Sequence, residues 1–262
     1  MGLDYPGLLA DLRSESDCLI SCLGALSEEG WSLLTPAAGW SIQDQISHLA
    51  FFDDTARLAM TDPEQFRVEA DELMAGGMDF PDRIAAEYRS TAPEAILTWF
   101  IKARNELLAA FEGDDARRRL PWFGPDMSVA SSATARLMET WAHGQDVYDT
   151  LGLPHPASPG LRSIAHLGVA TFAFAHRLNG VDVPEEPVYV ALRSPEGEVW
   201  TWGPADADNQ ITGPAEDFVL TVTQRRHWTE TVLVVEGPVA QRWLDIAQVF
   251  AGAPSQRVRM VD

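Results

Sequence analysis

Helical spacing of apolar residues over the first two thirds of the chain is the feature that most restricts its fold. Residues 6–26 place their leucines mostly on one stripe, which is the spacing of an amphipathic helix. Ser41 and Asp44 have the capping-box pattern, so a second helix is predicted to begin there and to run to about Met60. Further helices are predicted at 93–111, 128–151 and 160–178, with a broken connection at 64–92 that holds one short helix near 81–90. Long amphipathic helices in series indicate a helical bundle.

The pattern changes after residue 180. Two apolar, strand-like segments at 187–192 and 199–202 are separated by a turn sequence at 194–197, which predicts a hairpin. Helices are predicted beyond it, at 214–225 and 238–250.

These patterns give the predicted fold class and domain organisation. The chain is expected to be mainly α, with an antiparallel four-helix bundle followed by a small α+β domain. The boundary is placed at the change of pattern, so the bundle domain takes residues 1–180 and the α+β domain takes residues 181–262.

Charge and composition exclude several classes of partner. The net charge is −20, and a field of that sign repels nucleic acid and anionic membrane surfaces. No apolar run is long enough to span a membrane, and the first residues lack the basic region of a secretory signal. The only cysteines, Cys18 and Cys22, do not suggest a disulfide framework. A cytoplasmic protein without nucleic-acid or membrane partners is expected, and the sequence leaves its oligomeric state open.

Three side chains on two of the predicted helices have the chemistry of a metal site. Glu139 and His143 are four residues apart, so they are neighbours on one helix face. His48 lies among apolar residues of another helix and could supply a third ligand. Three protein ligands with an open position are the catalytic arrangement of zinc, and bundle cores often build metal sites from facing helices. The spacing alone also permits a surface Glu–His contact and a hydrogen-bonded core histidine.

Three aspartates lie near these residues in sequence. Asp44 and Asp53 flank His48, and Asp146 follows His143. They could orient the imidazole rings of the metal ligands, or they could be solubilising charges.

Two segments resemble the mycothiol-dependent maleylpyruvate isomerase family. They are Gly39-Trp40-Ser41 with His48-Leu49, and the run from Glu139 to Asp146. The family belongs to the DinB-like metal-binding four-helix bundles. The resemblance implies that His48, Glu139 and His143 hold a divalent metal, usually zinc, and that mycothiol is the thiol cosubstrate.

The resemblance also bears on the second domain and on the substrate. Residues 213–218 and Gly237-Pro238 look like parts of the sterol-carrier-like domain that follows the bundle in this family. The aromatic loop at 120–125 looks like that of a separate branch, so the isomerase substrate is not carried over.

Together these features predict a thiol-dependent metalloenzyme, either a transferase or an isomerase. A metal-bound thiolate would attack a small electrophile. The alternative is a non-catalytic metal-containing module that binds or senses a small molecule.

Trp122 and Phe123 are the candidate substrate-binding residues, because their loop leads into the helix of Glu139 and His143. The same rings could instead plug the end of the bundle.

Overall fold

The structure is a computed structural model, and it describes residues 4–250. These residues divide into two compact units, the first ending at Pro156 and the second beginning at Ala157. The predicted boundary at residue 180 lies further along the chain. The helices between 161 and 178 therefore group with the sheet and not with the bundle. Whether either part folds on its own stays a prediction.

The first unit contains four long helices and several short elements. Its long helices are α1 (Tyr5–Leu23), α3 (Ile42–Thr61), α6 (Pro93–Glu112) and α7 (Val129–Leu151). Between them lie α2 (Glu28–Trp31), α4 (Pro63–Ala75), α5 (Phe80–Glu87) and a two-strand ribbon of β1 (Arg119–Leu120) and β2 (Met127–Ser128).

Each long helix packs against two others, α1 and α3 each contacting both α6 and α7. Gln45 near the start of α3 meets His143 late in α7, and Asp53 later in α3 meets Arg136, so these helices are antiparallel. Helices α3 and α6 run in the same direction, because Asp54 and Arg57 meet Trp99 and Glu106 in the same order. Parallel neighbours need a long crossover, and α4 and α5 supply it.

The crossover is more helical than expected. Asp62-Pro63 ends α3, but it also begins α4, since the Asp62 side chain accepts a hydrogen bond from the backbone N–H of Gln65 at 3.1 Å. Proline at the first helical position suits a helix start. The sequence signal that stops one helix therefore starts the next, so residues 64–92 hold two helices and not one.

The second unit combines helices with a four-stranded sheet. Its elements are α8 (Leu161–Ala170), α9 (Phe172–Leu178), β3 (Val188–Arg193), β4 (Val199–Trp202), β5 (Asn209–Pro214), α10 (Ala215–Val222), a 3-10 turn (Trp228–Glu230), β6 (Val234–Glu236) and α11 (Pro238–Ile246). The strand order is β4-β3-β5-β6, with β3 and β5 parallel and the outer pairs antiparallel. The predicted hairpin is the β3–β4 pair. The mainly α fold with a small α+β part is confirmed.

Candidate metal centre

The three predicted metal ligands meet where α3 packs against α7. Nε2 of His143 lies 3.0 Å from Oε2 of Glu139, one helical turn away on α7. Nε2 of His48, on α3, lies 3.5 Å from the same carboxylate oxygen. One ligand atom from each residue falls within 4.8 Å of the other two, and no second group of this kind occurs among residues 4–250.

All three side chains are largely shielded from solvent. The side chains of His48, His143 and Glu139 are 12%, 11% and 22% exposed. Burial, together with the nearby His143, lowers the pKa of His48 to about 4. Burial alone would raise the pKa of Glu139, but its contacts with the imidazoles of His143 and His48 hold that pKa well below its usual value. A neutral imidazole and an ionised carboxylate are the forms that bind metal.

Gln45 is a part of the site that the sequence reasoning missed. Nδ1 of His143 forms a short hydrogen bond with Oε1 of Gln45. Nε2 of Gln45 donates to the hydroxyl of Thr35 at 2.8 Å, and that hydroxyl donates to the carbonyl of Trp40 at 2.9 Å. Gln45 lies three residues before His48, so the two share a helix face, and that spacing is the signal that could have identified it.

Aromatic rings flank the imidazoles. The Trp40 ring lies 5.3 Å from the His48 ring and 5.9 Å from the His143 ring, centroid to centroid, and it is stacked on the latter. The Phe52 ring lies 4.6 Å from the His48 ring. Trp40 is held in place by its indole N–H, which donates to Asp82 at 2.7 Å. The capping box at Ser41 begins α3 directly after this ring, as predicted.

The candidate substrate-binding residues, Trp122 and Phe123, lie on the side of the site formed by the Phe52 ring. Phe123 contacts the ring of Phe52, at a centroid distance of 5.9 Å, and that of Phe80, at 5.1 Å. Trp122 is one ring further away and stacks on Phe66 of α4 at 5.7 Å. Phe123 is therefore one ring removed from His48, and both loop residues are partly buried.

Two of the three aspartates near the ligands in sequence have other partners. The carboxylate of Asp44 serves the capping box and accepts a hydrogen bond from Arg89 at 2.9 Å. Asp53 is fully buried and pairs with Arg104 and Arg136. Asp44 and Asp53 are thus not imidazole orienters, and the hydrogen-bond partner of Nδ1 of His143 is the amide oxygen of Gln45.

These residues fit a divalent metal ion. Ligand atoms about 2.0–2.1 Å from a tetrahedral zinc ion lie about 3.3 Å apart, close to the two separations from Oε2 of Glu139. Two imidazole nitrogens and a carboxylate oxygen are also a common catalytic donor set. Nδ1 of His48 is buried and has no hydrogen-bond partner within the described part of the chain, so no hydrogen bond at that nitrogen orients the ring.

Comparison with protein families shows which family the chain belongs to. Residues 12–148 match the sequence model of the mycothiol maleylpyruvate isomerase N-terminal domain. The chain belongs to this family. The match covers α3 and most of α7, and therefore all three candidate ligands of this maleylpyruvate isomerase family member. Residues 184–236, in the second unit, match the model named for wyosine base formation. The predicted sterol-carrier-like character of the second domain stays a prediction.

Relatives of this family member occur in Mycobacterium tuberculosis. Proteins described as uncharacterized from strains CDC 1551 and H37Rv are 47% identical to it over 256 residues, 96% of this chain and 98% of each relative. Crystal structures of the mycothiol-dependent maleylpyruvate isomerase and of a mutant of it share the fold at a TM-score of 0.59. They are 15% and 14% identical to this chain, and the alignment covers 86% of it and 90% of each isomerase chain. No helix within residues 4–250 is both long and apolar enough to cross a membrane.

Proposed function

We propose that this chain binds one divalent metal ion, zinc in the first instance, through His48, Glu139 and His143. In this proposal it is a thiol-dependent transferase or isomerase that acts on a small electrophile. The convergence of two imidazole nitrogens and a carboxylate oxygen between two buried helix faces carries the proposal. Family membership supports it, because the family is named for a mycothiol-dependent isomerase.

The chemistry divides between the metal and the side chains around it. A bound divalent ion with an open position lowers the pKa of a coordinated thiol, so that the thiolate is present near neutral pH. Glu139 contributes a negative charge that offsets part of the charge of the ion. Trp40 and Phe52 shield one side of the site from water, which strengthens electrostatic interactions there.

Mycothiol is the proposed thiol, and the electrophile is proposed only by class. Similarity to the solved isomerase at 15% identity shows the fold, so its substrate is not transferred to this chain. The neighbouring apolar rings favour an electrophile with an apolar part, and we place that part against Phe123 and Trp122. The contact of Phe123 with Phe52, which in turn contacts His48, supports this position.

The test combines metal analysis with a thiol-transfer assay. Protein purified without a histidine tag is expected to contain about one equivalent of metal, and His48→Ala is expected to contain almost none. His166→Ala is the matched control, because it removes an exposed histidine of the second unit.

Thiol consumption is then followed with a panel of electrophiles, with and without chelator. Equal turnover by metal-free and metal-loaded protein would refute the proposal that catalysis depends on the metal. Metal binding without any turnover would favour the binding or sensing module.

A further inference from the structure

We infer that Gln45 is a positioning residue, whose amide oxygen fixes the ring of His143 in the tautomer that can bind metal through Nε2. The inference rests on the proposed function, since it concerns a ligand of the same site. Gln45 is fully buried and faces α7 from α3, one turn before His48. Gln45 contacts Nδ1 of His143, on the side of the ring away from Nε2, so it acts through His143.

Hydrogen-bond direction determines which end of the Gln45 amide faces the histidine. The Thr35 hydroxyl has one proton, and it donates that proton to the carbonyl oxygen of Trp40 at 2.9 Å. At its contact with Gln45 the hydroxyl must therefore accept, and the amide NH2 of Gln45 is the donor there, at 2.8 Å. The amide oxygen of Gln45 is then the atom that faces Nδ1 of His143.

The protonation of His143 follows from this orientation. A carbonyl oxygen can only accept, so Nδ1 of His143 must carry a proton. In the neutral ring the lone pair is then on Nε2, which points at Oε2 of Glu139 from 3.0 Å. Two electron-pair donors at this distance need a cation or a second proton between them. The Gln45 contact thus prepares His143 to bind a cation, the usual role of a hydrogen bond to the second nitrogen of a ligating histidine.

The two imidazoles of the site are oriented by different means. His143 has the Gln45 hydrogen bond, whereas Nδ1 of His48 has no partner in the described structure and its ring is held by Trp40 and Phe52. Removing the Gln45 acceptor is therefore expected to affect His143 alone. The relay, meaning the chain of hydrogen bonds from His143 through Gln45 and Thr35, ends on the backbone carbonyl of Trp40. It therefore connects His143 to the residue whose ring flanks both histidines.

The first test measures zinc affinity by competition with a chelating dye. Gln45→Met keeps the length and burial of the side chain but removes the acceptor, and a 10- to 100-fold loss of affinity is expected, as for other partners of ligating histidines. Gln45→Glu keeps an acceptor oxygen and is expected to restore most of that affinity. Gln43→Met is the control, because it removes a buried glutamine of the same helix whose amide donates to backbone carbonyls at 88–91. Wild-type affinity in Gln45→Met, or equal losses in Gln45→Met and Gln45→Glu, would overturn the inference.

The second test needs no metal. In the metal-free protein at alkaline pH, long-range proton–nitrogen correlation spectra report which nitrogen of each imidazole carries the proton. His143 is expected to be protonated at Nδ1, and this preference should disappear in Gln45→Met but persist in Gln43→Met. Protonation at Nε2 in the wild-type protein would overturn the inference. Failure of the wild-type protein to bind any divalent metal would instead refute the proposed function, while the tautomer still decides the role of Gln45.

Discussion

Two buried polar clusters lie side by side where α3 packs against α7, and they differ in how their charges are compensated. In the first cluster, Asp53 on α3 is paired with Arg136 on α7 and with Arg104 on α6. In the second, His48 on α3 meets Glu139 and His143 on α7. The clusters are five residues apart on α3 and three apart on α7, and the arginine–aspartate cluster is the more deeply buried of the two.

The arginine–aspartate cluster is complete within the protein. One Asp53 oxygen accepts from Nε of Arg104 at 2.6 Å, and the other accepts from Nη2 of Arg104 at 3.1 Å and from Nε of Arg136 at 2.9 Å. Arg136 also donates to the carbonyl of Leu49 at 3.3 Å. The two guanidinium groups share the one carboxylate, and both Asp53 oxygens already accept hydrogen bonds from them.

The histidine–glutamate cluster lacks such compensation. Its atoms are electron-pair donors directed at one another, and the only formal charge in its neutral-imidazole form is the negative charge of Glu139. The comparison shows how the arginine–aspartate cluster differs from the proposed metal site in the same bundle. The arginine–aspartate cluster contains both signs of charge, whereas the proposed metal site contains only the negative one.

The largest expected effect tests the structural half of this comparison. Asp53→Ala leaves two guanidinium groups buried without their carboxylate, and loss of one partner of a buried ion pair costs about 3–5 kcal/mol. Urea unfolding of the metal-free protein is expected to show a loss of that size. Asp79→Ala, which removes an exposed carboxylate 3.5 Å from Arg83, is the control and should change stability by about 1 kcal/mol or less. A similar small change for Asp53→Ala would mean that the cluster is not structural.

The aromatic loop at 120–125 provides a second test, because its rings could serve both the packing of the bundle and the binding of substrate. Phe123→Ala is expected to cost about 3 kcal/mol, near the lower end for an aromatic core residue because this ring is only partly buried. It is also expected to weaken binding of the electrophile, since Phe123 packs on Phe52 beside His48. Phe66→Ala is the control. Phe66 contacts Phe123 and Trp122 from α4, so it should lose stability without loss of electrophile affinity. Unaltered affinity in Phe123→Ala would remove Phe123 from the substrate site.

The third expected effect tests the binding half of the comparison. A ligand that binds only the native state stabilises it by about 2.7 kcal/mol when its free concentration is a hundred times its dissociation constant. Zinc at that level is expected to raise the free energy of unfolding of the wild-type protein by this amount and to have no such effect on His143→Ala. Glu139→Gln is expected to lose less affinity than His143→Ala, because an amide oxygen can still coordinate. Equal stabilisation of His143→Ala by zinc would place the ion elsewhere.

The sequence predicted those parts of the fold and site that depend on local spacing. The capping box at Ser41 and the four-residue spacing of Glu139 and His143 are each contained within one helix, so they could be predicted without tertiary structure. The long helices and the β3–β4 hairpin follow from periodicity in the same way. Helix α4 was missed because Asp62-Pro63 both stops and starts a helix.

The remaining features depend on which helix faces meet. Asp53 and Gln45 are both polar residues near His48 in sequence, and nothing local shows that one meets two arginines and the other meets His143. The bundle places Arg104 on α6 and Arg136 on α7 against Asp53, which a single sequence does not reveal. The grouping of α8 and α9 with the second unit likewise depends on packing and not on their helical pattern.

The smallest expected effect asks whether the start of α3 influences the two clusters differently. The Ser41 side chain caps α3 by accepting from the backbone N–H of Asp44 at 3.2 Å, and Ser41→Ala is expected to cost about 1 kcal/mol. Ser128→Ala is the matched control, since Ser128 caps α7 by accepting from the N–H of Ser131 at 3.0 Å, and a similar cost is expected. Zinc affinity should be unchanged in both variants, because the ligands lie well inside their helices. Ser41 adjoins Trp40, whose carbonyl ends the relay from His143. A loss of zinc affinity confined to Ser41→Ala would therefore show that the position of residue 40, and not Gln45 alone, determines how His143 is held.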